Sequence, residues 1–300
     1  MITSAFTCTG PYAILILLGI KRVENRSVMP VLAKGRISAD RRSLREAKSL
    51  ERCAISCSKS FCREEYGEFV RWASRALKPE EFETVPAWDE VKDWPGMVVG
   101  CCDYACNGRD ARCPSVGVAN GRDARCPSWD EGYGCWWVLS EVVAFDRPIP
   151  CRGNVGMWQM PFALAAQVSA ADRLARAVGE RIATAEEAAE LFRLAIPIAG
   201  GSEGVFVLPL DEDRCVLSEP VLVSLGTSSV TTVVQPGEVF AAALKADAKS
   251  IIVAHNHPSG STTPSAQDRE LTAALKKLGE VLGVGVLDHL IVCNDSFATV

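Results

Sequence analysis

The 300-residue chain contains three histidines, and two of them stand two positions apart in the segment His255-Asn-His-Pro-Ser-Gly-Ser-Thr-Thr-Pro-Ser-Ala-Gln-Asp268. On an extended chain, residues i and i+2 face one side, so His255 and His257 at a strand end can aim two imidazoles at one point. Pro258 and Gly260 then turn the chain, and Pro264 opens a helix whose first turn presents Asp268. Two imidazoles and a carboxylate are a standard set for a catalytic zinc, with the fourth position left to water. One Zn2+ per chain, held by His255, His257 and Asp268, is therefore expected. Such a site also needs a general base. Glu203 is the best candidate, just after the Gly-Gly pair at 200–201 and at the start of an apolar strand. Ser265 can donate to the oxyanion of a tetrahedral intermediate or cap the helix, and its position leaves both roles open. His289, which follows Asp288 near a strand, reads as structural.

The elements that must position these residues alternate between helix and strand periods. A helix over 185–196 has Thr184 as N-cap, Glu186 and Glu187 in its first turn, and Pro197 at its end. Residues 205–210 and 216–223 read as strands flanking the polar turn 211–214. A short amphipathic helix over 237–246 follows Pro236, and the apolar run 250–254 reads as a buried strand that delivers His255. Ser265 is the expected cap of a helix reaching about residue 282, with Asp268 at its third position. Strands over 284–287 and 290–293 follow. This order predicts a mixed α/β domain over 184–300.

The segment closely resembles the RadC branch of the JAMM (MPN+) metalloprotease family. That pattern is an upstream Glu, then His-x-His-Pro, a Ser, and an Asp eleven positions past the second His. Here those positions are Glu203, His255, His257, Pro258, Ser265 and Asp268. Gly226-Thr227, the helix at 238–244, the HNHPSG block and Asp288-His289-Leu290 extend the likeness. The resemblance implies a cytidine-deaminase-like α/β/α sandwich. It also implies a zinc-dependent hydrolase acting on peptide or isopeptide bonds, with a protein or peptide as substrate. The family's Glu-x-Phe stands here as Glu-Gly-Val-Phe, so the aromatic falls one place late.

The first half differs in composition: it is rich in Cys, Trp and Arg, and the change falls near 163–180. Residues 164–183, Ala-rich and mostly helical, are expected to connect a first domain over 1–163 to the second. Pro11 starts an apolar helix that Gly19 ends, and the charged Lys21, Glu24 and Arg26 follow. This stretch resembles the ASCH domain, a PUA-like β-barrel whose signature is Gly-x-Lys-x-x-Glu-x-Arg. Residues 136–145 and 148–158 look like that domain's closing strands. The resemblance implies binding of RNA or a modified nucleoside in a cleft lined by Lys21, Glu24 and Arg26. Val28 stands where an aromatic is expected, and a basic insertion at about 33–48 interrupts the pattern. Lys and Arg there can hold phosphates, and Trp129, Trp136 and Trp137 can stack on bases, though core packing is the plainer role for the tryptophans.

Composition sets outer bounds. The hydrophobic fraction of 48% and charged fraction of 23% suit a globular protein. A net charge of −5 makes no overall case for a nucleic-acid binder, but residues 1–60 hold eleven Lys/Arg against four Asp/Glu. Thirteen cysteines, an odd count without a secretory signal, argue against a disulfide framework. The apolar run 12–20 is too short to span a bilayer, so a cytoplasmic protein with reduced thiols and no membrane partner is expected. Residues 107–115 recur as 120–128, which reads as a duplicated surface loop. A metal cluster of Cys113 and Cys126 with Cys101, Cys102 and Cys106 lacks the paired spacing of zinc ribbons. The expectation is thus a two-domain zinc hydrolase whose first module binds RNA or single-stranded DNA. The alternative is a nucleic-acid-binding protein, of the DNA-repair or mobile-element kind, whose metal site is structural or nuclease-like.

Overall fold

The computed structural model describes residues 1–8, 10–18, 23–26, 51–106, 135–152, 157–199, 202–226 and 234–300. The chain divides into two units, Met1–Asp172 and Arg173–Val300. The division falls inside one helix, Phe162–Ala177. Among the described residues, no helix is long and apolar enough to cross a membrane.

The first unit runs β1 (Ser4–Cys8), α1 (Gly10–Leu17), β2 (Val23–Arg26), β3 (Glu51–Cys57), α2 (Arg63–Ala76), the short α3 (Pro79–Phe82) and α4 (Trp88–Val91), then β4 (Met97–Cys106), β5 (Cys135–Pro150) and β6 (Met157–Gln159). Its sheet has the order β2-β5-β4-β3-β1-β6, in which β1 and β3 are parallel and the other pairs antiparallel. Among the described residues the expected closed barrel is not seen. The described sheet is open, with β2 and β6 as its edges. The apolar surface that closure would bury is instead covered by helices: Ala13, Ile14 and Ile16 of α1 and Phe69 and Ala73 of α2 pack with Phe6 and Ile55 in one core. Arg52 on β3 ties this unit together, donating to both carboxylate oxygens of Asp172 at 2.8–2.9 Å and to Asp103 at 2.8 Å.

The second unit follows the helix α5 (Phe162–Ala177) with α6 (Ala185–Ala195), β7 (Gly204–Leu210), β8 (Val221–Leu225), α7 (Pro236–Lys245), β9 (Ser250–His255), α8 (Ala266–Leu282), β10 (Gly285–Val292) and β11 (Phe297–Thr299). The sheet order is β11-β10-β9-β7-β8, with β9 and β10 parallel. Alternation along the strands divides the core in two. Phe206, Leu208, Ile252, Ala254, Leu290 and Val292 pack with α6, whereas Val205, Val207, Ile251 and Val253 pack with α7 and α8. Helices therefore cover both faces, and the α/β reading of this unit describes what these residues form.

Three elements differ from the sequence expectation. β8 starts at Val221, because Pro220 has no N–H to give to a ladder, and Val216 makes only an isolated bridge to Leu210. The two strands expected over 284–293 are one, β10. A register shift between Val286 and Asp288 accommodates the polar interruption that had suggested a break. The short β11 has no forerunner in the sequence reading; it pairs antiparallel with β10.

Candidate metal centre

Strand parity decides where His255 points. Ile251 and Val253 face α7 and α8, so His255, the next odd residue of β9, faces the same side. There α8 begins. Its inward stripe is Thr272, Leu275 and Gly279, and Asp268 lies one turn before Thr272 on that stripe. The turn out of the helix closes tightly on Gly279, where a Cβ would stand 2.4 Å from the Val284 carbonyl oxygen. The helix ends on Gly283, whose φ of 71° is the left-handed conformation that glycine supplies without strain. Ser265 caps the other end: its Oγ accepts the Asp268 N–H at 3.1 Å, and its own N–H donates to Asp268 Oδ2 at 2.7 Å. The reciprocal cap thus fixes the carboxylate itself, with Oδ1 turned toward His255 Nε2 at 3.3 Å.

His257 Nε2 completes the group, 3.0 Å from His255 Nε2 and 3.8 Å from Asp268 Oδ2. The three ligand atoms lie within 4.8 Å of one another, and this is the group among the described residues with the composition and spacing to hold a metal ion. His255 is 2% exposed and Asp268 13% in their side chains, so the group is shielded but open at His257.

The hydrogen bonds determine the tautomers. Ser261 O is an acceptor only, so His257 Nδ1, at 2.8 Å from it, carries the proton and Nε2 carries a lone pair. A longer relay fixes His255. Thr272 Oγ1 donates to the Asp268 carbonyl at 2.6 Å and so accepts from His289 Nδ1 at 2.6 Å. His289 Nε2 is then the acceptor for His255 Nδ1 at 3.0 Å, which leaves a lone pair on His255 Nε2. Two imidazole lone pairs and a carboxylate oxygen converge without a proton between them. This donor set fits a cation of the zinc type, with two nitrogens, one oxygen and a further position left open. Burial keeps the relay neutral: it pushes the His255 pKa down to about 3, with His289 adding to the shift, and His289 down to about 4. Burial opposes the Asp268 charge, but the two Ser265 hydrogen bonds outweigh it and hold its pKa below the ordinary value.

The remaining expected site residues fall as follows. Glu203 is half-buried, immediately before β7, and outside the three-ligand group. Because Val205 pairs with His255, Glu203 precedes by two positions the residue beside the first ligand. Its carbonyl accepts from Gly226 N at 2.7 Å. Asn256, buried between the two histidines, clamps the chain on either side of it: Oδ1 accepts from Gly204 N at 2.9 Å and Nδ2 donates to Ser202 O at 3.0 Å. Neither Asn256 nor Thr272 was singled out in the sequence. His289, expected to be structural, is bonded to a ligand ring. The x of His-x-His was the only local signal for Asn256, Asp288-His289-Leu290 marked His289 only as part of the family likeness, and nothing local marks Thr272.

In the first unit, Glu24 and Arg26 stand on β2 opposite Trp137 and Cys135. Lys21, Trp129, Cys113, Cys126, the basic insertion and the tandem repeat lie outside the described residues. Cys101 and Cys102 are buried in the sheet, with Cys102 Sγ 3.8 Å from Cys53 Sγ. Burial pushes the Cys101 thiol well above its ordinary pKa, a setting for an inert core thiol and not for a metal thiolate.

Comparison with known proteins agrees with this geometry. A family model described as the RadC-like JAB domain matches residues 182–300. A UPF0758 protein of Chlorobaculum parvum is 40% identical over 126 residues, covering 42% of this chain and 55% of that protein. UPF0758 proteins of Staphylococcus haemolyticus and Thermotoga maritima are 44% and 47% identical over 97 and 95 residues, covering 32% of this chain and 42% of each relative. The chain thus spans about half the length of the curated relatives it matches. Over residues 182–300, which hold the whole His–His–Asp group and its supporting relay, the chain is similar to the RadC-like JAB domain.

Proposed function

We propose that the second unit is a zinc-dependent hydrolase of the JAMM type that cleaves peptide or isopeptide amide bonds. The observation that carries this reading is the convergence of two imidazole lone pairs and the Asp268 carboxylate, with His257 also lining a cleft. Bound zinc would supply a Lewis acid for the amide carbonyl and acidify a water molecule. The chain's own groups do the rest. His255 and His257 give neutral nitrogen ligands whose orientation is set by His289 and Ser261. Glu203 accepts the water proton and returns it to the leaving amine. In this reading Ser265 Oγ, which accepts the Asp268 N–H, turns its own proton from the Asp268 carboxylate to the oxygen that gains negative charge. The test is to incubate zinc-loaded protein and its Glu203→Gln form with cell lysate and compare the products by mass spectrometry. New amine termini or freed lysines are expected only with the wild type, while Glu203→Gln keeps its zinc. Equal products from both would remove Glu203 from the role of base.

For the first unit, which is similar to the ASCH signature at Glu24 and Arg26, we propose binding of RNA or single-stranded DNA. The antiparallel register of β2 with β5, which pairs Glu24 with Trp137 along the backbone, supports it. A salt-dependent mobility shift that survives zinc removal is the expected result. A shift lost with the zinc would instead assign the nucleic acid to the metal site.

A further inference from the structure

Beside the metal group lies a cleft of about 390 Å3, lined by Arg193, Ile196, Pro197, His257, Pro258 and Cys293 among others. Its size suits a side chain or a chain terminus. One wall carries the metal ligand His257, and another carries Arg193, from the last turn of α6. The lining also includes the polar Asn256 and Asn294, and among the described residues Arg193 is its one cationic side chain.

Arg193 shows two properties of a binding group. Its Nε is buried yet has no hydrogen-bond partner among the described residues, whereas buried donors in folded proteins are nearly always paired. Its guanidinium carbon sits 6.0 Å from the centre of the Phe297 ring on β11, a cation–π contact that holds the head group while leaving its N–H groups to find acceptors elsewhere. A planar guanidinium in the wall of a cleft that also offers amide side chains matches a carboxylate, which it can receive with two parallel N–H donors.

We propose that Arg193 forms a subsite for a substrate carboxylate next to the scissile bond, either a C-terminal carboxylate or an Asp or Glu side chain. The word substrate rests on the hydrolase reading above; the binding of a carboxylate at Arg193 does not. The cleft brings this cation and the metal ligand His257 to one space, so a bound anion fixes the register of the peptide relative to the metal group. Substrates ending in, or carrying, an acidic group near the cut are then preferred over neutral ones.

The experiment uses the full-length chain in zinc-loaded and zinc-free forms, with Glu203→Gln in the background so that no probe is consumed. Three probes are titrated calorimetrically: N-acetyl-trialanine with a free carboxylate, the same peptide as its C-terminal amide, and N-acetyl-Ala-Asp-Ala amide. At least one acidic probe is expected to bind about tenfold tighter than the neutral one, the order of a charge-assisted pair. Which acidic probe gains identifies the source of the carboxylate. The advantage disappears in Arg193→Gln, is partly kept in Arg193→Lys, and persists without zinc. The Nε–Hε proton of Arg193 shifts on titration in 15N–1H spectra of the otherwise unaltered protein, which reads the contact even where Arg193→Gln fails to fold. Equal binding of all three probes, no binding of any, or an advantage that survives in folded Arg193→Gln overturns the subsite. Failure of the hydrolase reading shows instead as absent zinc or absent turnover with the carboxylate preference intact.

Discussion

At the residue scale, His255 can offer a lone pair because acceptors behind it dictate where each proton sits. The Asp268 carbonyl takes the Thr272 hydroxyl proton, Thr272 takes that of His289, and His289 takes that of His255. His289→Ala removes the acceptor and frees the ring to turn. A loss of about 10–100-fold in zinc affinity is expected, read by competition with a chelator. Asn256 acts on the other side. Replacing it with Ala leaves the ligands in place but releases the Ser202–Gly204 backbone that carries Glu203. Zinc content should stay at one per chain while kcat falls about a hundredfold, the scale of a misplaced catalytic group. Loss of zinc in Asn256→Ala would show that the clamp serves the ligands and not the base. Ser265→Ala separates cap from donor. The alanine keeps the backbone N–H that binds Asp268, so stability drops by only about 1 kcal/mol and zinc is retained. A drop of about 10²–10³ in kcat then reports the hydroxyl as a donor to the reacting oxygen, and a mere stability change reports a cap.

At the element scale, the site is the meeting of a strand end and a helix start. The local parts of this were legible in the sequence: the i, i+2 pair at the end of β9, the proline-glycine turn, and the Ser265–Asp268 cap all follow from short-range rules. His289 was not legible as a partner of His255. The two are 34 residues apart, and their contact depends on the parallel pairing of β9 with β10 and on a register shift within β10. Arg193 escaped notice for the same reason, since only the folded sheet brings the end of α6 beside His257. The end of α8 also depends on Gly279, where the chain returns tightly at Val284. Gly279→Val forces that turn apart, and a destabilisation of about 1–3 kcal/mol is expected in denaturant melts, with zinc affinity weakened because Asp268 rides on the same helix.

At the scale of the whole molecule, each unit has its own sheet and its own core. The closed barrel that the ASCH likeness implied for the first unit is not seen in its described sheet. Barrel closure is a matter of edge pairing between distant strands, which period-two patterning does not encode; here α1 and α2 take up the apolar face instead. All three ligands and the whole relay from Thr272 to His255 belong to residues 173–300. Among the described residues, the metal group is built from the second unit.

The central claim is that His255, His257 and Asp268 hold one catalytic metal ion. Elemental analysis of the purified full-length chain beside His257→Ala tests it most directly. One zinc per chain in the wild type and less than a tenth of that in His257→Ala is the expected result, since losing one of three ligands removes most of the affinity. Zinc retained at full stoichiometry in His257→Ala, or none in the wild type after loading, would contradict the account.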